Sequence, residues 1–553
     1  NFGFLEIIKG PGSSLYGAGT GGVVLAEHLT ASEEKGAFVE YSTGNYGLRN
    51  IYGSVLTGTD NFRSKVGYQH QESSGYRVHS RLSRDVLSWT GHINLGANQD
   101  LKTTFVYSDL FYQTPGALTK AEYDANPRAS RPGNAFFPGA TTAQASINQK
   151  TFLTGASHTF QVLPALQLKT TLYGSYTRLL NPAIQNYGRV SEPHFGGRST
   201  LKFTHAFASS TLTLTGGGEW QQGYTKASVH RNRQGVADTL QQYYEVATRQ
   251  SLVFSQASWQ FGKWTAVAGL SLNNLKLGYE AFFPRPATLR ERTFRNKLAP
   301  RFALLRDLGS ASIYSSISQG FSAPTTEEFF PSGGAANINL AAENGTNYDL
   351  GVRGRLRSLN FDINAFYFAL NDAIVQRRTA GGGSEFINAG STDQKGIETG
   401  INYPLLQTTS FIEQGTIWLS HTYHHFRYKN FAKDTFNLSG KKLPGIAPHN
   451  LSSGIDLRAS NGLFTSLTYL YSSRLPVTDA NIVFADAYHL LGAKVGFLLS
   501  RREKSIKLAV GADNLLDEKY SLGNDVNGFG GRFFNAAPRR NYYVSLTLQY
   551  LKK

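Results

Sequence analysis

"LQLKTTLYGSY", residues 166–176, alternates without a break. Leu166, Leu168, Thr170, Leu172 and Gly174 fall on one side of an extended chain. Gln167, Lys169, Thr171, Tyr173 and Ser175 fall on the other, because successive side chains of a strand point to opposite faces. The same period returns in "SIKLAVGA" (505–512), where Ile506, Leu508, Val510 and Ala512 oppose Lys507, Ala509 and Gly511. In the last segment Tyr542, Val544, Leu546, Leu548 and Tyr550 oppose Tyr543, Ser545, Thr547 and Gln549. From about residue 36 onward period two dominates, which makes this a β-protein whose strands have one apolar and one polar side.

A sandwich and a barrel share that alternation, so the connections must separate them. Short turns fall at 58–61, 96–100, 162–165, 261–263, 307–309, 459–462 and 501–504. Between them lie longer polar or aromatic stretches, expected as loops near 73–84, 110–149, 178–195, 223–246, 275–293, 320–342, 428–446, 474–485 and 514–538. The rhythm yields about 22 strands, an even number, as single-chain outer-membrane barrels have. A soluble sandwich gives no reason for short and long connections to alternate, and rarely reaches this length as one domain. The expected fold is all-β: a 22-stranded antiparallel transmembrane β-barrel, short turns on the periplasmic side and long loops outside.

Composition agrees. Charged residues are 17%, below the ~25% usual for soluble domains, while aromatics reach 13% and no apolar block exists. Hydrophobicity this dispersed is how a barrel carries its lipid face. No stretch approaches the ~18–20 apolar residues of a spanning helix. Cysteine is absent, which excludes disulfides and thiolate chemistry. The net charge of +17 implies anionic company, and the spread of Lys and Arg along the whole chain disfavours nucleic acid. With neither a Met nor a signal peptide at its start, the chain reads as a mature product or a fragment beginning inside a domain.

The opening stretch, "LEIIKGPGSSLYGAGTGGVVLAE" (5–27), contains Gly17, Gly19 and Gly22 in a G-x-G-x-x-G pattern, with Glu40 about 20 residues on. A dinucleotide site would need a β-α-β unit around those glycines, and none follows. The stretch instead resembles the plug domain of TonB-dependent outer-membrane receptors. The ordered residues are Glu6, Lys9-Gly10-Pro11, Tyr16-Gly17, and Gly21-Gly22 followed by Val23-Val24. The resemblance extends through "QGFSAPTTEEFFP" (319–331), "NLAAENGTNYDLGVRG" (339–354), "FINAGSTDQKGIETG" (386–400), "LPGIAPHNL" (443–451), "DNLLDEKY" (513–520) and "GRFFNAAPRRNYYVSLTLQY" (531–550). Ser322 and Lys9 stand where the family usually has Arg.

The resemblance implies a C-terminal part of a plug in residues 1–35 and a receptor barrel in 36–553. Most of the plug and the segment that engages TonB would precede the chain. It implies Glu343 and Glu398 as barrel partners of Lys9, forming an ionic lock, and active uptake of an iron chelate such as a ferric siderophore or a ferric citrate-like complex. The TonB–ExbB–ExbD complex is the implied energy source; the chain is expected to be a monomer without cofactor or resident metal. A passive porin-like or structural barrel, or a receptor for cobalamin, another metal chelate or a carbohydrate, is the alternative.

Candidate ligand contacts come from loops that combine guanidinium groups, which suit chelating oxyanions, with aromatic surface. These are Tyr112, Arg128, Arg131 and Phe136 in the 110–149 stretch, and Arg377 and Arg378 in "VQRR". The competing expectation is that such cationic loops face acidic lipopolysaccharide and outer-membrane lipid. "HTYHH" does not read as a metal site: His421 and His425 share a face about 13 Å apart and His424 points the other way. Glu327 and Glu328 read as solvated loop charges, and no nucleophile constellation emerges, so no enzymatic activity is expected.

Overall fold

The computed structural model describes residues 2–12, 14–28, 35–285, 287–331, 337–379, 383–405, 411–433 and 436–552. Twenty-two antiparallel strands close into a single barrel. Closure comes from the first barrel strand, Lys35–Gly44, pairing with the last, Asn541–Lys552, from Lys35 opposite Lys552 to Gly44 opposite Tyr543. A closed ladder leaves no unpaired edge, the condition for a sheet to span lipid.

The alternation seen in the sequence is realised with its apolar side outward. Leu172, Leu350 and Val510 are each more than half exposed on the outer wall, while Gln222, Asn273 and Asn347 are buried on the inside. This inverts the arrangement of a soluble barrel, where the apolar set faces inward.

The wall is uneven in height. Leu166–Pro182, Asn186–Ala206, Ser210–Arg233, Val236–Phe261, Trp264–Phe283 and Ala287–Asp307 run 17 to 26 residues. Leu463–Ser472 and Lys504–Asp513, across the barrel, have 10 each. A membrane crossing needs about 9–11 residues, so the tall strands rise well beyond it. Here the loops expected near 178–195, 223–246 and 275–293 are wrong: those residues continue the strands into tight hairpins. Above the membrane both faces of a strand meet water, so the apolar contrast fades and the sequence reads as loop. The tightest tip is Gln234-Gly235, both left-handed (φ +52° and +86°), as a two-residue hairpin requires.

On the lower side true loops fill the height. The connection 114–145 carries a short helix, Lys120–Ala125, closed by a Thr119–Glu122 capping box. It shares a buried cluster, Leu118, Tyr123, Val477, Ala485, Phe533 and Phe534, with the connections around 473–487 and 514–540. Glu328, once a candidate for solvated charge, caps a second short helix: its carboxylate accepts the Thr325 N–H at 2.6 Å.

Outside the barrel ladder, Phe2–Lys9 and Gly22–His28 form a separate antiparallel hairpin, Lys9 opposite Gly22. The glycine pattern thus joins two antiparallel strands, with no β-α-β unit for a dinucleotide.

Candidate functional site

The segment between the hairpin strands, residues 10–12 and 14–21 as described, is pressed into the barrel lumen. Gly10 turns the chain at φ +66°, and a Cβ there would stand 2.8 Å from Asn347 Nδ2. Gly22 closes the turn at φ +118°, where a Cβ would meet the Ile8 carbonyl at 2.5 Å. The wall is thinned to receive the segment. A Cβ on Gly320 would lie 2.8 Å from Pro11 Cγ, and one on Gly269 would lie 2.3 Å from Ser14 Cβ. Pro11, Ser14, Gly17 and Ala18 are buried there, whereas Gly21 and Glu6 remain exposed. Main-chain and side-chain bonds fix the fit: the Phe321 N–H donates to the Ala18 carbonyl, and Ser14 Oγ donates to Gln256 Oε1 at 2.7 Å.

Arg198 makes the most elaborate of these contacts, and sequence reading missed it. Its Nη1 meets Glu219 Oε2 at 2.8 Å, and its Nη2 donates to the Leu15 carbonyl at 2.5 Å. Its guanidinium lies over the Phe254 ring at 4.3 Å and the Tyr16 ring at 5.4 Å. Tyr173 OH donates to the other Glu219 oxygen at 2.7 Å, so the carboxylate is also braced from the barrel wall. Both charged side chains are about four-fifths buried. The one available signal was the lumen-side parity of Arg198 and Tyr173; nothing local ties Arg198 to Leu15.

Of the three residues in the expected lock, Lys9 and Glu398 are brought together as an ion pair. Glu343 sits elsewhere. It accepts Thr20 Oγ1 at 3.2 Å with one oxygen and the Ile374 N–H at 2.8 Å with the other. Ile374 opens a small outer hairpin, Ile374–Arg378 with Ser384–Asn388, that stands apart from the barrel ladder. One carboxylate therefore touches both the inner segment and an outer loop.

A closed barrel of 22 strands with a glycine-rich turn lodged inside is a specific architecture, and a family model supports it across most of the chain. The model described as TonB dependent receptor-like, beta-barrel, matches residues 28–515. The chain belongs to the TonB-dependent receptor family. That family and fold are those of transport receptors, and its members are outer-membrane proteins. The ferric enterobactin receptor PirA of Pseudomonas aeruginosa is 28% identical over 231 residues, 39% of this chain and 29% of that protein, so the match spans less than a third of the relative's length. Among solved structures, the ferric citrate transporter FecA in its unliganded form superimposes with a TM-score of 0.85 at 18% identity, over 99% of this chain and 83% of that one. The siderophore receptor PiuA from Acinetobacter baumannii gives 0.80 at 12%, over 99% and 86%. The copper transporter OprC gives 0.75 at 15%, over 99% and 85%. At these identities the likeness is one of fold.

The ligand candidates of this TonB-dependent receptor divide. Arg128 spans loops: its Nε donates to the Tyr76 carbonyl at 3.0 Å and its guanidinium lies 5.5 Å from the Tyr76 ring centre. Arg131 lies half-buried in the same loop, its main-chain N–H bonded to the Pro115 carbonyl at 2.7 Å. Tyr112 is the last residue but one of its strand, opposite Leu82 and Ile147, and Phe136 stands at a loop crest, 83% exposed. Arg377 has Nε and Nη2 buried without a hydrogen-bond partner, so it is the candidate whose donors are still to be used. The Arg378 side chain lies outside the described residues.

Two loop contacts escaped sequence reading. Arg77, 6% exposed, donates to the Gly116 and Ala129 carbonyls and to Asn535, and burial pulls its guanidinium down to about 10. Arg532 grips Glu122 with both terminal nitrogens, at 2.5 and 2.9 Å. Burial works to raise the Glu122 carboxyl, but bonds from Arg532 and the Thr119 N–H outweigh it and hold the group below its ordinary value. His421 stacks on His449 rather than on its sequence neighbours, and among the described residues no group of three or more His, Cys, Asp or Glu could hold a metal.

Proposed function

We propose that this chain is the barrel and part of the plug of an outer-membrane receptor that takes up an iron chelate, a ferric siderophore or ferric citrate-like complex, using energy relayed by TonB–ExbB–ExbD. The observation that carries the reading is the seated segment between the hairpin strands, which touches the wall at Ser14, Leu15, Ala18 and Thr20 and blocks a lumen too wide for side chains alone to fill. A passive pore has no use for an obstruction held by many individually modest bonds. An obstruction that must be moved does. In this reading residues 1–35 belong to the plug and 36–553 to the barrel, with the boundary falling beside residues 29–34, which lie outside the described residues. The Glu343 carboxylate relates occupancy above to plug position below, because losing either of its partners reorients it toward the other. The basic surface draws an anionic complex by its field, and Arg377 offers unused donors to chelating oxygens.

The names of the similar proteins support an iron chelate, and the likeness to a copper transporter is a reminder that one fold serves several metals. The test is uptake of radiolabelled iron by cells that lack their own receptors for the chelate and express this protein, with and without TonB. Accumulation of at least one ferric chelate only in the TonB-containing cells is expected. Equal entry in both would mean a passive pore, and no entry with a full panel of ferric carboxylates, catecholates and hydroxamates would remove the iron reading.

A further inference from the structure

The tall part of the wall ends in two unlike flanks. On one flank the connection 114–145 covers it. Asn232 Nδ2 donates to the Ala143 and Ala183 carbonyls at 2.7 and 2.6 Å, and a Cβ on Gly235 would stand 2.8 Å from Gln144 Cβ. On the other flank the wall drops abruptly. Ala287–Asp307 pairs with Trp264–Phe283 from Ala287 opposite Ala281 down to Arg306 opposite Trp264. Its second neighbour, Ala311–Ser322, is in register with it only from Arg301 to Asp307. Just above that, Lys297 lies over the Phe321 ring at 5.2 Å, so the two strands are still close. Higher up, residues 289–296 have no main-chain partner on this side among the described residues. Every second residue of a strand turns its N–H and C=O to the same edge, so a row of donors and acceptors roughly 27 Å long stands open.

An open edge is a template for another strand, and charge on it limits which strand can come. Here the charge is sorted by face. Phe294 is buried in a luminal cluster with Val246, Leu277 and Phe329, so Arg290 and Arg292, of the same parity, stand on the luminal face. Leu289, Glu291 and Thr293 alternate to the outer face, where Leu289 is more than half exposed. Glu291 is already bonded to Lys276 at 2.7 Å. Among the described residues no carboxylate meets Arg290 or Arg292, and Arg292 Nε is buried without an acceptor. A second copy of this edge would bring Arg290, Arg292, Arg295 and Lys297 against the same four cations, with the one acid between them engaged; like charges placed opposite each other repel. A shorter step at 236–242, above the point where Tyr243 meets Phe283, is also open, but it carries Asp238 and no cation.

We propose that the edge at 289–296 binds an extended acidic segment of another protein by strand addition. Main-chain hydrogen bonds to the open edge supply the attachment, and alternate side chains supply the choice. Residues of the partner on the luminal face lie beside Arg290 and Arg292 and are acidic. Residues on the outer face lie beside Leu289 and Thr293 and are aliphatic or β-branched. Charge complementarity thus selects a strand in which acids alternate with apolar residues, and it rejects both a basic strand and a second copy of this chain. The contact sits on the rim of the tall wall and is independent of any chelate inside.

The probe is a synthetic ten-residue peptide alternating Glu and Val, offered to the purified full chain in zwitterionic detergent. Fluorescence anisotropy reads its binding, and amide exchange reads its place. Alternate amides within 289–296 should exchange at least tenfold more slowly with the peptide present, while those of 236–242 should not change. Lys in place of Glu should weaken binding at least tenfold. Arg290→Gln with Arg292→Gln should weaken it as much, and Arg290→Lys with Arg292→Lys, which keeps the charge, should restore it. The Glu–Val peptide N-methylated throughout keeps its carboxylates but has no N–H to donate, and should lose binding. Undiminished binding of the methylated peptide would show that charge alone acts and would overturn strand addition. Equal binding of the Lys peptide, protection elsewhere than 289–296, or dimerisation of the chain through this edge would each overturn the proposal as well. Heat-resistant migration of the barrel in gels verifies folding of the arginine variants. If they do not fold, the three peptides compared on the unaltered protein decide.

Discussion

The seated segment is held by two kinds of charged contact. Arg198–Glu219 is about four-fifths buried, braced by Tyr173 and covered by two rings. Lys9–Glu398 leaves the lysine side chain 64% exposed and has a single bond. Both link charge to charge, yet they do different work. A pair in water gains about 0.2–1 kcal/mol and is weakened by salt, whereas hydrogen bonds to charged groups in a shielded site are worth about 1.5–3 kcal/mol each. A plug meant to move would be fastened by the first and positioned by the second. The contrast teaches that the contact easiest to recognise in the sequence is the weaker of the two.

Removing the stronger contact should have the largest effect. Arg198→Ala should cost about 2–3 kcal/mol in seating of the segment, raising its unseated fraction roughly 30- to 150-fold. Amide exchange over residues 14–20 and ion leak in planar bilayers should both rise. Unchanged exchange would show that the arginine merely decorates the lumen.

A steric test comes next. Gly320→Val places branched carbons against the rigid Pro11 ring and Thr20 Cα, at a cost of about 1–3 kcal/mol. Leak should increase while Arg198 keeps its bonds, which separates fit from charge; a variant as tight as wild type would mean the wall yields. Glu343→Ala is smaller, about 1–1.5 kcal/mol for the lost bonds, but it should act at two places. Exchange at Thr20 and at Ile374 should quicken together, and quickening at one alone would break the proposed connection between them. Lys9→Gln should be the smallest, under about 1 kcal/mol, and should vanish in high salt where exposed charges are screened over about 3 Å. An effect of Lys9→Gln as large as that of Arg198→Ala would reverse the comparison.

Much of the fold was legible because a lipid-spanning wall imposes a strict code. The faces of 166–176, 505–512 and 542–550 follow from parity alone, and the turns near 162–165, 261–263 and 501–504 interrupt it visibly. The code lapses where lipid ends. Strand residues such as Arg189 and Asn232 lie in the tall hairpins yet read as loop, since nothing demanded an apolar partner on either face. The site was half legible for a different reason. Gly10, Pro11 and Tyr16 belong to one short ordered motif. Arg198 acts on Leu15 across 183 positions of sequence, and only the closed barrel brings them together. Lys9 and Glu398 are more distant still, 389 positions apart, but a family pattern names both.

One loop described above reaches further than its length suggests. The connection 114–145 packs Leu118 against Phe534 and joins Glu122 to Arg532 at one end. At the other its Ala143 carbonyl accepts Asn232 Nδ2 at 2.7 Å, from the tip of a tall hairpin. Immunologically, the outer surface there is a composite. An antibody raised on the folded protein would read residues near 122, 232 and 532 as parts of a folded surface, whereas serum against a linear peptide from 114–145 would find in the intact receptor little of what it learned beyond the crest around Phe136.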